Sequence, residues 1–206
     1  MDSARENADL CRRADCLWPT GPIPGQAAEV TAPRCETIMM NPFDPLRKVL
    51  HVDEAAARHA GQSGTVVTNG VFDILHRGNV AFLAEARRLG DRLVVGVLSD
   101  AAARLLGMAE GRPLNTEGDR AFQVAALESV DAVVIYGGPT PIALLARLKP
   151  FVYVTSGDRD PSRLAETALV QSWGGHTLAL PFVDGYSTTA LVERIRGQAA
   201  TTGSMR

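Results

Sequence analysis

At 206 residues the chain is longer than the roughly 150 residues of one domain, so a single core with an appendage is expected rather than two complete domains. Hydrophobic residues make up 46% and charged residues 21%, which excludes a chain too poor in apolar groups to fold. The net charge of −2, from 21 basic and 23 acidic side chains, excludes an overall positive field for nucleic acid or anionic lipid, so any polyanion has to be met locally.

The chain opens Met1-Asp2-Ser3 with no basic stretch leading into an apolar one, and its apolar runs are strand-sized, far short of the roughly 18 residues of a membrane helix. A cytoplasmic protein with no membrane or nucleic-acid partner is expected. Residues 1–42 read as an irregular, mobile leader, because Trp18-Pro19-Thr20-Gly21-Pro22-Ile23-Pro24-Gly25 forbids a regular helix or ladder. The leader holds all three cysteines, Cys11, Cys16 and Cys35; with His51 they match structural zinc spacings poorly, and free thiols are the favoured reading. Residues 53–60 are Ala-rich and helix-prone. From residue 64 short apolar runs alternate with helical patterns, with strands expected at 65–69, 93–98, 132–135, 151–154 and 177–180. Helices are expected between and after them at 80–89, 119–128, 141–148, 162–173 and 188–196. The fold class is therefore α/β, a doubly wound, Rossmann-like sheet of five parallel strands over residues 43–197, followed by a short tail, 198–206. Ligands of such sheets sit at the carboxyl ends of the strands.

The segment Thr68-Asn69-Gly70-Val71-Phe72-Asp73-Ile74-Leu75-His76-Arg77-Gly78-Asn79-Val80 runs from a strand end into a helix start. A helix N-terminus offers unpaired N–H groups and the positive end of the dipole, and Gly70 and Gly78 allow a backbone to approach a phosphate closely. Spacing alone leaves two readings of His76, a phosphate ligand or a satisfied turn histidine. Gly185-Tyr186 is similarly open, since the aromatic can stack on a base or simply pack. His176 reads as a structural or surface group, and His51 and His59 lie before the first strand.

Residues 66–100, with TNGVFDILHRGNVAFLAEARRLGDRLVVGVLSD, resemble the opening βαβ unit of the cytidylyltransferase-like nucleotidyltransferases, and within them the adenylyltransferase domain of bacterial ADP-heptose synthases. The resemblance continues through Arg112-Pro113-Leu114-Asn115, Asp119-Arg120-Ala121, Gly157-Asp158 and LPFVDGYSTTALVERIR at 180–196. It implies transfer of a nucleoside monophosphate, AMP from ATP, to a sugar 1-phosphate such as heptose 1-phosphate, with pyrophosphate released. Mg2+ accompanies the nucleoside triphosphate, no metal ligands are expected from the protein, and a homodimer is implied. His76 matches the first histidine of the family's H-x-G-H motif, and Asn79 stands at the second. Arg120 matches an arginine at a helix start, and Ser187, Thr188 and Thr189 match a late phosphate-holding turn. The resemblance further implies nucleotide contacts from Asn69, Gly70, Phe72, Asp73, Gly78, Gly157 and Asp158, with Asp73 and Asp100 towards the acceptor.

Three positions depart from the family pattern. Asn79 can donate a neutral hydrogen bond but cannot become cationic. Leu105-Leu106-Gly107-Met108 and Thr155-Ser156-Gly157-Asp158 each lack a family lysine. Arg77, Arg104, Arg112 and Arg159 are near enough in sequence to substitute. Two hypotheses follow: a working nucleotidyltransferase, or a catalytically silent relative that binds a nucleotide or nucleotide sugar in a regulatory or assembly role.

Overall fold

The computed structural model describes residues 44–108, 111–157, 160–181, 183 and 185–202, the last of these, 196–202, by backbone alone. The expected leader, residues 1–42, lies outside the described residues, as do Asp158 and Arg159.

In chain order the elements are α1 (Val52–His59), β1 (Thr65–Gly70), α2 (Arg77–Arg87), β2 (Arg92–Leu98), α3 (Asp100–Leu105), α4 (Glu117–Ala125), β3 (Ala132–Tyr136), α5 (Ile142–Leu148), β4 (Val152–Ser156), α6 (Ala165–Gln171), β5 (His176–Leu180) and α7 (Thr188–Thr202). One-turn 3-10 helices occupy Pro45–Lys48 and Pro161–Arg163. The five strands are all parallel, in the order β3-β2-β1-β4-β5. The chain therefore winds outwards from β1 to β3 and then returns to the other side of β1, which puts the topological switch between β1 and β4.

Alternation along the strands divides the core into two layers. Val66, Leu93, Val95, Val97, Val133, Val152 and Val154 join Leu83 and Ala86 of α2 and Ala121 and Val124 of α4 on one face. Val67, Val94, Val134 and Tyr153 join Leu144, Leu145 and Leu148 of α5, Val170 of α6 and Ala55 of α1 on the other. Side chains of a strand point to opposite faces with period two, so strands that are apolar at nearly every position bury both faces under helices. No helix among the described residues is long and apolar enough to cross a membrane.

The helices differ from expectation in several places, among them α4, which runs Glu117–Ala125 rather than 119–128. α2 starts at Arg77 rather than at 80 because His76 caps it. α3 is an unexpected helix of six residues, started by Ser99, whose hydroxyl accepts from the Ala102 N–H at 3.3 Å. The expected 162–173 helix is shortened to Ala165–Gln171, because Leu164 is extended (φ −86°, ψ 132°) and separates it from the preceding 3-10 turn. α7 continues to Thr202, beyond the expected end at 196 and through part of the expected tail.

Candidate functional site

The site is built at the switch point, where β1 and β4 end. Asn69, near the end of β1, is held from two sides: its Nδ2 donates to Tyr136 Oη at 2.7 Å, and Tyr153 Oη donates to its Oδ1 at 2.8 Å. Burial pushes the Tyr136 hydroxyl pKa above its ordinary value, so the phenol stays protonated across the physiological range. Gly70 follows; a Cβ there would lie 3.0 Å from the Phe72 ring, so glycine lets the chain fold back under that ring without displacing it. Phe72 itself adopts φ +52°, a left-handed conformation rare for an aromatic residue, and buries its side chain against the core.

His76 is the N-cap of α2. Its Nδ1 accepts from the Asn79 backbone N–H at 3.3 Å, while its own backbone N–H donates to Asn79 Oδ1 at 3.3 Å, a reciprocal capping box. A ring nitrogen that accepts from a backbone N–H carries no proton, so the ring hydrogen is on Nε2. Burial lowers the His76 pKa from its ordinary value, which also favours the neutral ring.

The second wall comes from the start of α7. Ser187 Oγ accepts from the Ala190 N–H at 3.1 Å, closing that helix end as His76 closes α2. The two helix starts press together at Gly78, where a Cβ would stand 3.0 Å from both Tyr186 Cβ and His76 Nδ1. Between them lies a cavity of about 520 Å³. A neighbouring cavity of about 440 Å³ shares His76, Tyr186 and Ser187 with it and adds Glu193 and Arg194.

Of the residues expected at the site, the fold brings Asn69, Gly70, Phe72, His76, Gly78, Asn79, Ser187 and Thr188 to this cavity. Thr189 and Gly157 are not on its wall, although Ser156, next to Gly157, is. Asp73 points elsewhere: it is 4% exposed and accepts from the Leu114 N–H at 2.7 Å, the Asn115 N–H at 3.0 Å and Arg112 Nη1 at 3.3 Å, tying down the 112–115 loop. Its backbone carbonyl also accepts from Asn115 Nδ2.

Arg120 is the clearest correction. Expected against phosphates, it is 0% exposed and spends its guanidinium on the carbonyls of Asn115 (3.1 Å), Val71 (2.5 Å) and Leu98 (2.7 Å) and on Asp100 Oδ1 (2.6 Å). Burial works to raise the Asp100 carboxyl, but the Arg120 hydrogen bond and charge, with a backbone hydrogen bond involving Glu117 and the charge of Arg104, outweigh it and hold the pKa below its ordinary value. The arginine joins the ends of β1 and β2 to the starts of α3 and α4, and it is not on the cavity wall. Of the substitute cations, Arg112 is paired with Asp73. Arg77 lies over the Tyr186 ring, its guanidinium carbon 5.6 Å from the centroid.

Sequence reasoning missed Tyr136 and Tyr153 as the groups that hold Asn69. Tyr136, just past the expected 132–135 strand, ends β3 opposite Leu98 and crosses behind Gly96 to reach Asn69. The detectable signal is the lone glycine in an apolar strand, which opens space for a neighbouring ring. Tyr186, left open between stacking and packing, packs on Gly78 and stacks with Arg77 while lining both cavities. Among the other histidines, His51 caps α1, and His176 is exposed on the edge strand β5 in a T-shaped contact with Phe151 at 5.7 Å. Among the described residues no group of three or more His, Cys, Asp or Glu side chains is placed to hold a metal.

Residues 67–194 match the family model described as cytidylyltransferase-like. The chain is 52% identical over 131 residues to a D-beta-D-heptose 1-phosphate adenylyltransferase of Bordetella bronchiseptica, covering 64% of this chain and 81% of that one. It is 48% identical over 141 residues to the bifunctional protein HldE of Geotalea uraniireducens, covering 68% of this chain but only 28% of that one. Among solved structures, the lipopolysaccharide core biosynthesis protein of Thermoplasma volcanium superposes with a TM-score of 0.50 at 26% identity, over 61% of this chain and all of that one.

Proposed function

The chain belongs to the cytidylyltransferase-like family, and from that membership we propose that it transfers an adenylyl group from ATP to a sugar 1-phosphate of the heptose 1-phosphate class. The observation that carries the reading is the convergence of two helix N-termini, those of α2 and α7, on one cavity at the switch point of the sheet. Each presents the positive end of a helix dipole, an arrangement suited to phosphate groups. The substrate class rests on the heptose 1-phosphate adenylyltransferase named among the relatives.

In this reading an oxygen of the acceptor's phosphate attacks the α-phosphorus of ATP, the bond from that phosphorus to the bridging oxygen breaks, and pyrophosphate leaves. The protein contributes positioning and charge stabilisation rather than a covalent intermediate. His76 donates from neutral Nε2–H to a phosphate oxygen, Ser187 and Thr188 hold phosphate at the α7 start, and Asn69, locked by Tyr136 and Tyr153, orients the nucleotide. The apolar wall of Phe82, Val183 and Ala190 receives the base. Magnesium enters as part of the MgATP substrate, held by phosphates and water, which suits a cavity whose described wall carries no carboxylate.

A second reading, a silent nucleotide binder, draws on the same wall, which holds no lysine or arginine among its described residues. Pyrophosphate release and thermal shift, measured with magnesium, each of ATP, CTP and GTP, and a panel of sugar 1-phosphates, separate the two. Release with ATP and heptose 1-phosphate is the expected result; a shift without release from any pair favours the silent binder.

A further inference from the structure

If the cavity takes a nucleoside triphosphate, the reading on which this inference rests, several negative charges enter a wall that bears no charged side chain among its described residues. His76 does not balance them, because its Nδ1 is engaged by the Asn79 N–H and its ring is neutral. Two helix N-termini supply only about half an elementary charge each.

The described arginines near the site differ in their partners. Arg120 is enclosed by three carbonyls and Asp100. Arg112 is paired with Asp73, and Arg194 stands on the wall of the second cavity beside Glu193. Arg77 is different. It is the first residue of α2, between His76 and Gly78, and it is exposed. Its guanidinium has no carboxylate partner among the described residues; it rests over the Tyr186 ring at 5.6 Å and donates from Nη1 to Tyr186 Oη at 3.4 Å. Tyr186 lines both cavities, so this cation, itself on the wall of neither, is one side chain removed from them.

We propose that Arg77 is the cation of the polyphosphate subsite, exchanging its contact with Tyr186 for charge-assisted bonds to phosphate oxygens. An exposed cation–π contact is weak, whereas guanidinium binds phosphate with paired, charge-assisted hydrogen bonds, so the exchange is favourable. Arginine stays charged at every physiological pH, which makes it a fitting replacement for the cation that Asn79 cannot be.

The test is binding of inorganic tripolyphosphate, without magnesium, by calorimetry to the full chain and to Arg77→Gln, Arg77→Lys and Arg88→Gln. Arg88, exposed at the other end of α2 and paired with Glu85, controls for the loss of one positive charge. The expected result is a loss of about tenfold or more in Arg77→Gln, a partial loss in Arg77→Lys, which keeps the charge but not the fork, and no change in Arg88→Gln. The proposal is overturned if Arg77→Gln binds within about twofold of the parent, if Arg88→Gln weakens binding equally, or if the parent does not bind tripolyphosphate. Pyrophosphate release, measured in parallel, keeps the two readings apart. Transfer without dependence on Arg77 sinks this inference alone, and Arg77-dependent binding without transfer sinks the transferase reading alone.

Discussion

Replacing Arg120 by Met separates a structural strut from a phosphate ligand. Methionine fills much of the same volume but removes the donors that serve the Asn115, Val71 and Leu98 carbonyls and the Asp100 carboxylate. A buried acceptor left unpaired costs about 1–3 kcal/mol, and removing one partner of a buried ion pair costs about 3–5 kcal/mol. These contributions share one side chain and do not add, so a loss of about 4 kcal/mol is expected. For a chain of this size each kcal/mol lowers Tm by about 2–4 °C, which predicts a fall of about 8–16 °C. The assay is thermal unfolding followed by circular dichroism, with a urea titration to verify an unchanged m-value. Acid sensitivity supplies a second readout. Asp100 has a folded pKa below its unfolded one, so its contribution is fully present above the unfolded value near 3.8 and is lost as pH falls through the lower folded value. The share of that acid dependence that comes from Arg120 is lost in Arg120→Met. A Tm within about 2 °C of the parent, at most about one kcal/mol by the same conversion, together with a large loss of nucleotide binding, refutes the strut and returns Arg120 to the phosphates.

Three further outcomes are expected. Residue-resolved NMR finds His76 as the Nε2–H tautomer with a titration midpoint below 6.5; since the unfolded ring protonates first, stability falls as pH drops from the unfolded value towards the folded one. His59, lowered by burial and by Arg92, titrates in the same window, so only resolved signals make the comparison, and a His76 midpoint above 6.5 contradicts the assignment. Tyr136→Phe removes the acceptor for Asn69 Nδ2, a neutral hydrogen bond worth about 0.5–1.5 kcal/mol, so ATP affinity measured by calorimetry falls by about two- to tenfold; an unchanged affinity counts against Asn69 as an orienting group. Gly78→Ala forces a methyl against Tyr186 Cβ and His76 Nδ1, and overpacking of about 1–3 kcal/mol separates the two helix starts and weakens ATP binding; a variant as stable and as tight as the parent shows that their close approach is not required.

The sheet was legible because its strands are apolar on both faces and its helices keep a 3.6-residue period, so the fold class and the five strands follow from pattern alone, whereas their order in the sheet does not. The β1–α2 segment was legible for a different reason: its glycines and histidine stand where a strand hands over to a helix. Side-chain direction was not legible. Arg120 and Arg77 are both arginines within a residue or two of matched motifs, yet one is sealed among carbonyls and the other rests on an exposed ring, a difference set by packing around β2 and α7. Asn79 was read as a weakened phosphate donor, but its Oδ1 accepts from the His76 backbone, so the substitution builds a cap in the helix start. α3 escaped because six residues give too few turns for a period to register.

The most direct measurement of the central claim follows the α-phosphorus itself. The full chain is incubated with magnesium, ATP labelled at that phosphorus and heptose 1-phosphate, and the products are separated. The account predicts that the label moves into a sugar-linked diphosphate in step with pyrophosphate release, and that both are lost in His76→Ala. Label that stays in ATP while ATP still raises Tm contradicts transfer and leaves a nucleotide-binding protein.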